Sequence, residues 1–287
     1  MRNVNLLRSW SDTLLLVGVT AVWGWTFVVV QDAISAYGVL GFLALRFALA
    51  SVALAPLLRE MMRRTLLVGA GIGLVLAMGY LFQTLGLLYT TPTNSGLITG
   101  LFVVFAPLTA RALFKVHVPR LILAAVFLSL TGMVLLAGQS AAGVRVGDAL
   151  TVVCAGALGL HIALLSRYAR EHNAGSLALA QMLSMAILFS VLWPLFEPVT
   201  LPPREVLFAI ALTGLVASAV AFYVQTTVQQ RIPAARAAII LTTEPVFAAF
   251  FGYWLAGDRL SPVQLAGAAL ILSALFVGEV LPVLRRK

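Results

Sequence analysis

Two ionisable side chains stand inside long apolar runs. Glu244 lies near the middle of a run over 234–256, and Arg46 near the middle of a run over 38–58. A charge at the centre of a membrane helix costs about 2.5–3.5 kcal/mol on insertion scales, so such residues are candidates for function. A carboxylate at that depth must be paired, hydrated or protonated. If water reaches it in one conformation and not in another, its proton affinity changes between them. That is the minimum chemistry for proton coupling, with a fixed salt bridge, or a bond to a freed backbone group, as the structural alternative. Pro245 follows Glu244 and removes a backbone donor, which can open the helix locally. Glu244, Arg46 and Pro245 are therefore candidate coupling or gating residues.

Uncharged polar residues interrupt the same apolar runs: Gln83, Asn94, Ser95, Thr99, His161, Gln181, Gln225, Thr242 and Thr243. None can face lipid without leaving a polar group unsatisfied. Singly, each could hydrogen-bond between helices, a contact worth about 0.6 kcal/mol on average. As a set they point to a central cavity. His161 could carry a proton, with a reference pKa of about 6.5, or serve as a buried structural histidine. Trp23, Trp25, Tyr80 and Tyr223 could wall an apolar, aromatic pocket, whereas Trp10, Trp193 and Trp254 sit near helix ends as interface anchors. The chain has no His-Glu-x-x-His, Gly-x-Ser-x-Gly or Gly-x-x-x-x-Gly-Lys-Ser/Thr motif and no acidic cluster to hold magnesium. No metal or cofactor is expected. A membrane-embedded enzyme acting on lipid or a lipid-linked substrate is the alternative to a carrier.

The composition says what must position these groups. Of 287 residues, 61% are hydrophobic and 10% charged, and the mean hydropathy is +1.03. That is too little polar surface for a soluble domain. A net charge of +9 would suggest nucleic acid in a soluble protein, but here it reads as the cationic flanks of membrane helices, with no nucleic-acid partner. The single Cys154 lies in an apolar run. Apolar runs such as 121–137 do not alternate, so the fold class is an all-α integral membrane protein. Ten transmembrane helices are expected at 13–34, 38–58, 65–89, 93–114, 119–138, 148–168, 175–196, 203–229, 234–256 and 261–284. One set of connections carries Arg2, Arg8, Arg59, Arg63, Arg64, Arg111, Lys115, Arg120, Arg167, Arg170, Arg231, Arg236, Arg285, Arg286 and Lys287. The alternate set carries only Arg145, Arg204 and Arg259. The excess of positive residues on one side predicts both termini in the cytoplasm, in a multi-pass protein of the inner (plasma) membrane.

A repeat is legible. Gly73 to Pro92 reads GLVLAMGYLFQTLGLLYTTP, and Gly214 to Pro233 reads GLVASAVAFYVQTTVQQRIP. Both open on Gly-Leu-Val, carry a Gln-Thr pair (Gln83-Thr84, Gln225-Thr226) and close on proline, and half the chain separates them. Tyr80 and Tyr223 fall at nearly matching places. Two five-helix halves follow, 1–139 and 140–287, and an odd number of spans requires them to be inverted. Inverted repeats are typical of secondary transporters, with the substrate near the midplane between the halves. Small residues on helices 3, 4 and 10 permit close packing, and the chain is expected as a monomer or homodimer.

On these residues the chain resembles the EamA family of the drug/metabolite transporter superfamily along nearly its whole length. Trp23-Gly24 with Phe27 is similar to the family's Trp-Gly signature, and Leu45-Arg46-Phe47 to its Arg-Phe signature. Thr93 to Gly100, ending at Pro107, is similar to the family's helix 4, and Glu244-Pro245-Val246 to the matching segment of the second repeat. The resemblance implies ten helices, cytoplasmic termini and carriage of a small-molecule substrate, often outward. An amino acid or related compound is the expected cargo. Where the family often has an acidic residue after helix 4, this chain has Phe114-Lys115-Val116-His117, while the second half keeps Asp258.

Overall fold

Helix ends in this chain follow its prolines and small polar residues. Pro92 opens one helix behind Thr91, whose side chain accepts the Asn94 N–H. Pro233 precedes another, and Asn173 and Ser261 cap two more by accepting the N–H of Ser176 and Gln264. The structure, a computed structural model, describes residues 2–137, 146–255, 257, 259 and 261–277. Arg145, Asp258, Glu279 and Arg285 to Lys287 lie outside the described residues.

The elements are α1 (Arg2–Ala36), α2 (Val39–Leu54, continued by a 3-10 turn over Ala55–Glu60), α3 (Arg63–Leu87), α4 (Pro92–Thr99), α5 (Phe102–Phe114) and α6 (Arg120–Ala137). They continue with α7 (Val146–Tyr168), α8 (Ala174–Phe196), α9 (Arg204–Ala211), a π-helical segment (Leu212–Val220), α10 (Ala221–Gln229), α11 (Ala234–Leu241), α12 (Glu244–Leu255) and α13 (Pro262–Leu275). No strand occurs among the described residues. Eight segments among them are long and apolar enough to cross a membrane: Trp10–Ala36, Val39–Glu60, Arg63–Leu87, Pro92–Phe114, Val146–Glu171, Ala174–Phe196, Arg204–Gln229 and Ala234–Leu255. Two apolar helices, Arg120–Leu135 and Pro262–Ala274, are shorter. Large apolar side chains also cover the outside, among them Leu14, Leu67, Phe127, Val134 and Ile187, as lipid requires.

Three expected helices are not continuous. The expected helix over 93–114 breaks at Gly100-Leu101, between α4 and α5, and the one over 234–256 breaks at Thr242-Thr243, between α11 and α12. Pro245 therefore sits at the second position of α12, where a missing N–H costs little, and the break lies just before it. The third, over 203–229, contains the π-helical stretch. A π turn accommodates one extra residue. Here it absorbs the slip between the repeats, because Gln83 and Gln225 stand one position further apart than Gly73 and Gly214.

The halves interlock. Helix α3 packs between α7 and α8, α2 lies along α8, α6 along α13, and α1 and α5 pack on α12 and α7. The broken helices cross, α4 on α12 and α5 on α11. Glycines make the closest approaches. A Cβ on Gly24 would lie 2.6 Å from Phe247 Cβ and 2.7 Å from the Ala248 nitrogen. A Cβ on Gly159 would meet Phe105 Cβ and lie 2.9 Å from the Ala106 nitrogen.

Polar ties gather at the two ends of the bundle. At one, which we call the Tyr37 face, Tyr37 Oη donates to the Thr200 carbonyl (2.7 Å). The Glu197 carboxylate accepts the N–H groups of Leu40 and Gly41 at 3.1 Å, capping α2 from the end of α8. Burial, with help from Glu197, raises the Tyr37 phenol above its ordinary pKa against the opposing Thr200 bond, so it stays a donor. At the other end, the His172 face, Arg231 pairs with Asp12, Glu171 receives Arg64 and Arg167 (2.9 Å each), and Asn173 donates to Glu60 (2.9 Å). His172 Nδ1 lies 2.9 Å from Thr65 Oγ1. Burial, seconded by Arg64, holds its imidazole below the ordinary value against the opposing pull of Glu171.

Candidate functional site

Mid-helix polar residues on α1, α3, α7 and α10 converge with the break before α12 on one cavity. Its wall is built in pairs across the repeat. Trp23, Thr26 and Phe27 on α1 face it, and so do Leu158, His161 and Ile162 on α7, the same triplet spacing shifted by one constant offset. Tyr80 and Gln83 face it from α3, and Phe222 and Gln225 from α10, again related by a constant offset. Phe102 at the start of α5 is matched by Glu244 at the start of α12.

Arg46 reaches the cavity from α2 and is 3% exposed. Its Nε donates to Ser218 Oγ (2.9 Å) and Nη2 to Tyr80 Oη (3.3 Å), with the guanidinium 4.6 Å from the Tyr80 ring centroid. The π-helical turn supplies Ser218, and its Ala217 carbonyl accepts Trp23 Nε1 (2.8 Å). Glu244 lies on the same wall, 5% exposed. Among the described residues neither Arg46 nor Glu244 joins an ion pair, so no fixed bridge joins them. His161 Nε2 lies 2.8 Å from Gln181 Oε1. Gln181 Nε2 donates to the Leu177 carbonyl (3.2 Å), which turns its oxygen toward the imidazole, so His161 Nε2 is the donor. The Gln225 Oε1 atom is buried without a hydrogen-bond partner. The cavity thus offers one cation, one acid and aromatic walls, with an unpaired amide oxygen buried beside it.

Of the residues singled out from sequence, Trp23, Phe27, Tyr80, Gln83, His161, Gln225, Glu244 and Arg46 line this cavity. Thr99 stands behind the wall and accepts from Gln83 Nε2 (3.2 Å). Asn94 and Ser95 on α4 are not on the wall, and Ser95 is fully buried. Thr242 and Thr243 return their hydroxyls to the carbonyls of Ile239 and Ile240, and Thr243 also meets Thr20 Oγ1 (2.7 Å). Pro245 packs toward Gly100, behind Glu244. Tyr223 is 42% exposed on the outside. The extra π residue rotates α10 so that Phe222 takes the place opposite Tyr80, 6.0 Å between ring centroids. Phe222, Thr26 and Phe102 were missed; the one-residue slip between the repeats was the available signal for Phe222. Trp25 turns away to pack on Phe251.

The sequence model of the EamA-like transporter family matches the chain twice, over residues 10–138 and 145–278. A relative from Archaeoglobus fulgidus, described as an uncharacterized transporter, is 34% identical over 271 residues, covering 94% of this chain and 86% of that protein. One solved crystal structure of a protein shares the fold, with a TM-score of 0.77 at 22% identity, over 94% of this chain and 96% of the other. The chain is a multi-pass membrane protein and belongs to the EamA-like transporter family.

Proposed function

We propose that this protein is a secondary active transporter that exports small organic metabolites, amino acids among them, across the cytoplasmic membrane by alternating access. Residues 1–139 and 140–287 form two inverted five-helix repeats, both termini are cytoplasmic, and the His172 face is the cytoplasmic one. The observation that carries this reading is the paired wall of the cavity, with Arg46 and Glu244 both on it and bound to no opposite charge among the described residues. A zwitterion supplies both missing partners, its carboxylate to Arg46 and its ammonium to Glu244, while Trp23, Tyr80 and Phe222 accept an apolar side chain. The double match to the family and the matching glycine contacts support the repeat. The cations at the His172 face (Arg59, Arg63, Arg64, Arg167, Arg170, Arg231), against Arg204 at the other, support the orientation.

The test is a thermal-shift screen of the purified protein against amino acids, their N-acetyl derivatives and their decarboxylated amines, followed by liposome flux of the hits. Stabilisation by amino acids, lost with either the N-acetyl derivative or the amine, and saturable flux are expected. Equal response to all three chemical forms would remove the zwitterion reading, and absence of flux for every hit would remove the transport reading.

A further inference from the structure

The cavity is paired at mid-depth and unpaired toward its ends. On the side of the Tyr37 face, Val30, Thr84 and Leu87 line it. Their counterparts in the second half, at the offsets that relate Phe27 to Ile162 and Gln83 to Gln225, are Leu165, Thr226 and Gln229. All three are fully buried and off the cavity. Gln229 closes this place. Its Nε2 donates to the Ile162 carbonyl (3.0 Å) and to Ser166 Oγ (2.6 Å), tying the end of α10 to α7.

The closed seam is oddly polar for a dry contact. Gln229 Oε1 and Thr226 Oγ1 are buried with no hydrogen-bond partner. They lie three residues apart and so share one face of α10. A buried polar atom left unpaired carries its full desolvation cost, and most such atoms in native proteins find a partner. Two on one helical face, continuing the line of Gln225, whose Oε1 is likewise buried and unpaired, fit a surface that is wet in another conformation.

We infer that the seam between α7 and α10 is the second half of the permeation path, and that the Gln229 side chain is its bar. In the opposite conformation Leu165, Thr226 and Gln229 face water from the His172 face, in the places that Val30, Thr84 and Leu87 hold on the other side. This rests on the transporter reading above and adds to it the residues of the path that is shut.

The test uses single cysteines at Thr84 and Thr226 in the full chain carrying Cys154→Ala, with folding checked by monodisperse elution in detergent. A membrane-impermeant cationic thiosulfonate is added to right-side-out or inverted vesicles. Thr84→Cys is expected to react from one face only and Thr226→Cys from the opposite face only. Adding Gln229→Ala removes two hydrogen bonds from the shut state, so it should raise the rate at Thr226→Cys about tenfold while lowering it at Thr84→Cys. Reaction of both cysteines from the same face overturns the inference. So does an unreactive Thr226→Cys in the Gln229→Ala background. If Thr226→Cys does not fold, Leu165→Cys carries the same comparison. Amino-acid flux of the cysteine-free parent is measured in the same vesicles. Flux with an inert seam sinks the path alone, whereas a reciprocal seam without flux for any amino acid sinks the substrate reading and leaves the path standing.

Discussion

Gly24 and Gly159 meet matching partners in opposite halves: Gly24 abuts Phe247 and Ala248 on α12, and Gly159 abuts Phe105 and Ala106 on α5. The glycines keep the offset that relates Trp23 to Leu158, and their partners the offset that relates Tyr80 to Phe222. Gly73 and Gly214 repeat the relation, one against Gln181 and Ser184 on α8, the other against Arg46 and Leu49 on α2. Exchange of the two halves maps each contact on the other. Because the atoms approached include backbone, neither glycine can take a methyl group without a shift of helices. Gly24→Ala and Gly159→Ala should each destabilise the protein by about 1–3 kcal/mol, read as a lower melting temperature in detergent. Gly18→Ala, where a Cβ would meet nothing within 4 Å, should be neutral or stabilising. Equal behaviour of all three variants would sever the contacts from stability.

The same exchange predicts a geometry. In crystals of the purified protein the first five helices should superpose on the last five after a half-turn about an axis in the membrane plane, with Gln83 falling on Gln225. An axis along the membrane normal would remove the inversion and with it the argument from an odd number of spans.

Much of this site was legible in the sequence, and the limits have physical causes. Arg46, Gln83, His161, Gln225 and Glu244 were found because an unsatisfied polar group in lipid is costly, so mid-helix polarity marks the interior. That logic separates lipid from protein and does not separate protein from cavity. Ser95, Thr242 and Thr243 are buried in packing or return their hydroxyls to the helix ladder, as serine and threonine do in apolar helices. Tyr223 was misdirected by a single residue, because a π turn moves the inward face by one position and nothing in a hydropathy pattern registers it. The breaks at Gly100-Leu101 and Thr242-Thr243 lie inside runs that stay apolar on average, so length and hydropathy read each pair of half-helices as one.

Orientation is tested by labelling. Single cysteines at Arg204 and Arg63 in the Cys154→Ala background should separate: an impermeant maleimide added outside whole cells should reach position 204 and not 63. Labelling at 63 alone would reverse the topology.

The His172 face should be acid-sensitive. His172 has its folded-state pKa below the ordinary 6.5 because burial, and then Arg64, disfavour the imidazolium, Glu171 opposing. The unfolded chain therefore binds the proton first as pH falls, and stability drops below about pH 6.5 until the folded form also takes its proton. Above that window both states are neutral and the group contributes no pH dependence. His172→Gln removes this term. Its melting temperature should fall less than that of the parent between pH 7 and 5. Parallel curves for the two proteins would show that other groups control the acid limb.

Glu244 carries the last prediction. It faces the cavity at the break between α11 and α12, it is in no ion pair among the described residues, and its counterpart in the first half is the apolar Phe102. An acid facing an apolar counterpart breaks the symmetry of the wall, so an exchange of halves would change its surroundings. Arg46 is already engaged by Ser218 and Tyr80, which leaves the carboxylate to bind a proton, water or the ammonium of a substrate. Glu244→Gln keeps the shape and the hydrogen-bonding atoms and removes the titration. If the acid couples transport to protons, proton-driven accumulation in liposomes should fall to the level seen with a protonophore, while exchange of labelled for unlabelled substrate persists. If the acid only binds the ammonium, exchange and accumulation should fall together, and an amine-free analogue should be carried as well by the variant as by the parent. Full proton-driven accumulation by Glu244→Gln would eliminate Glu244 as the coupling residue.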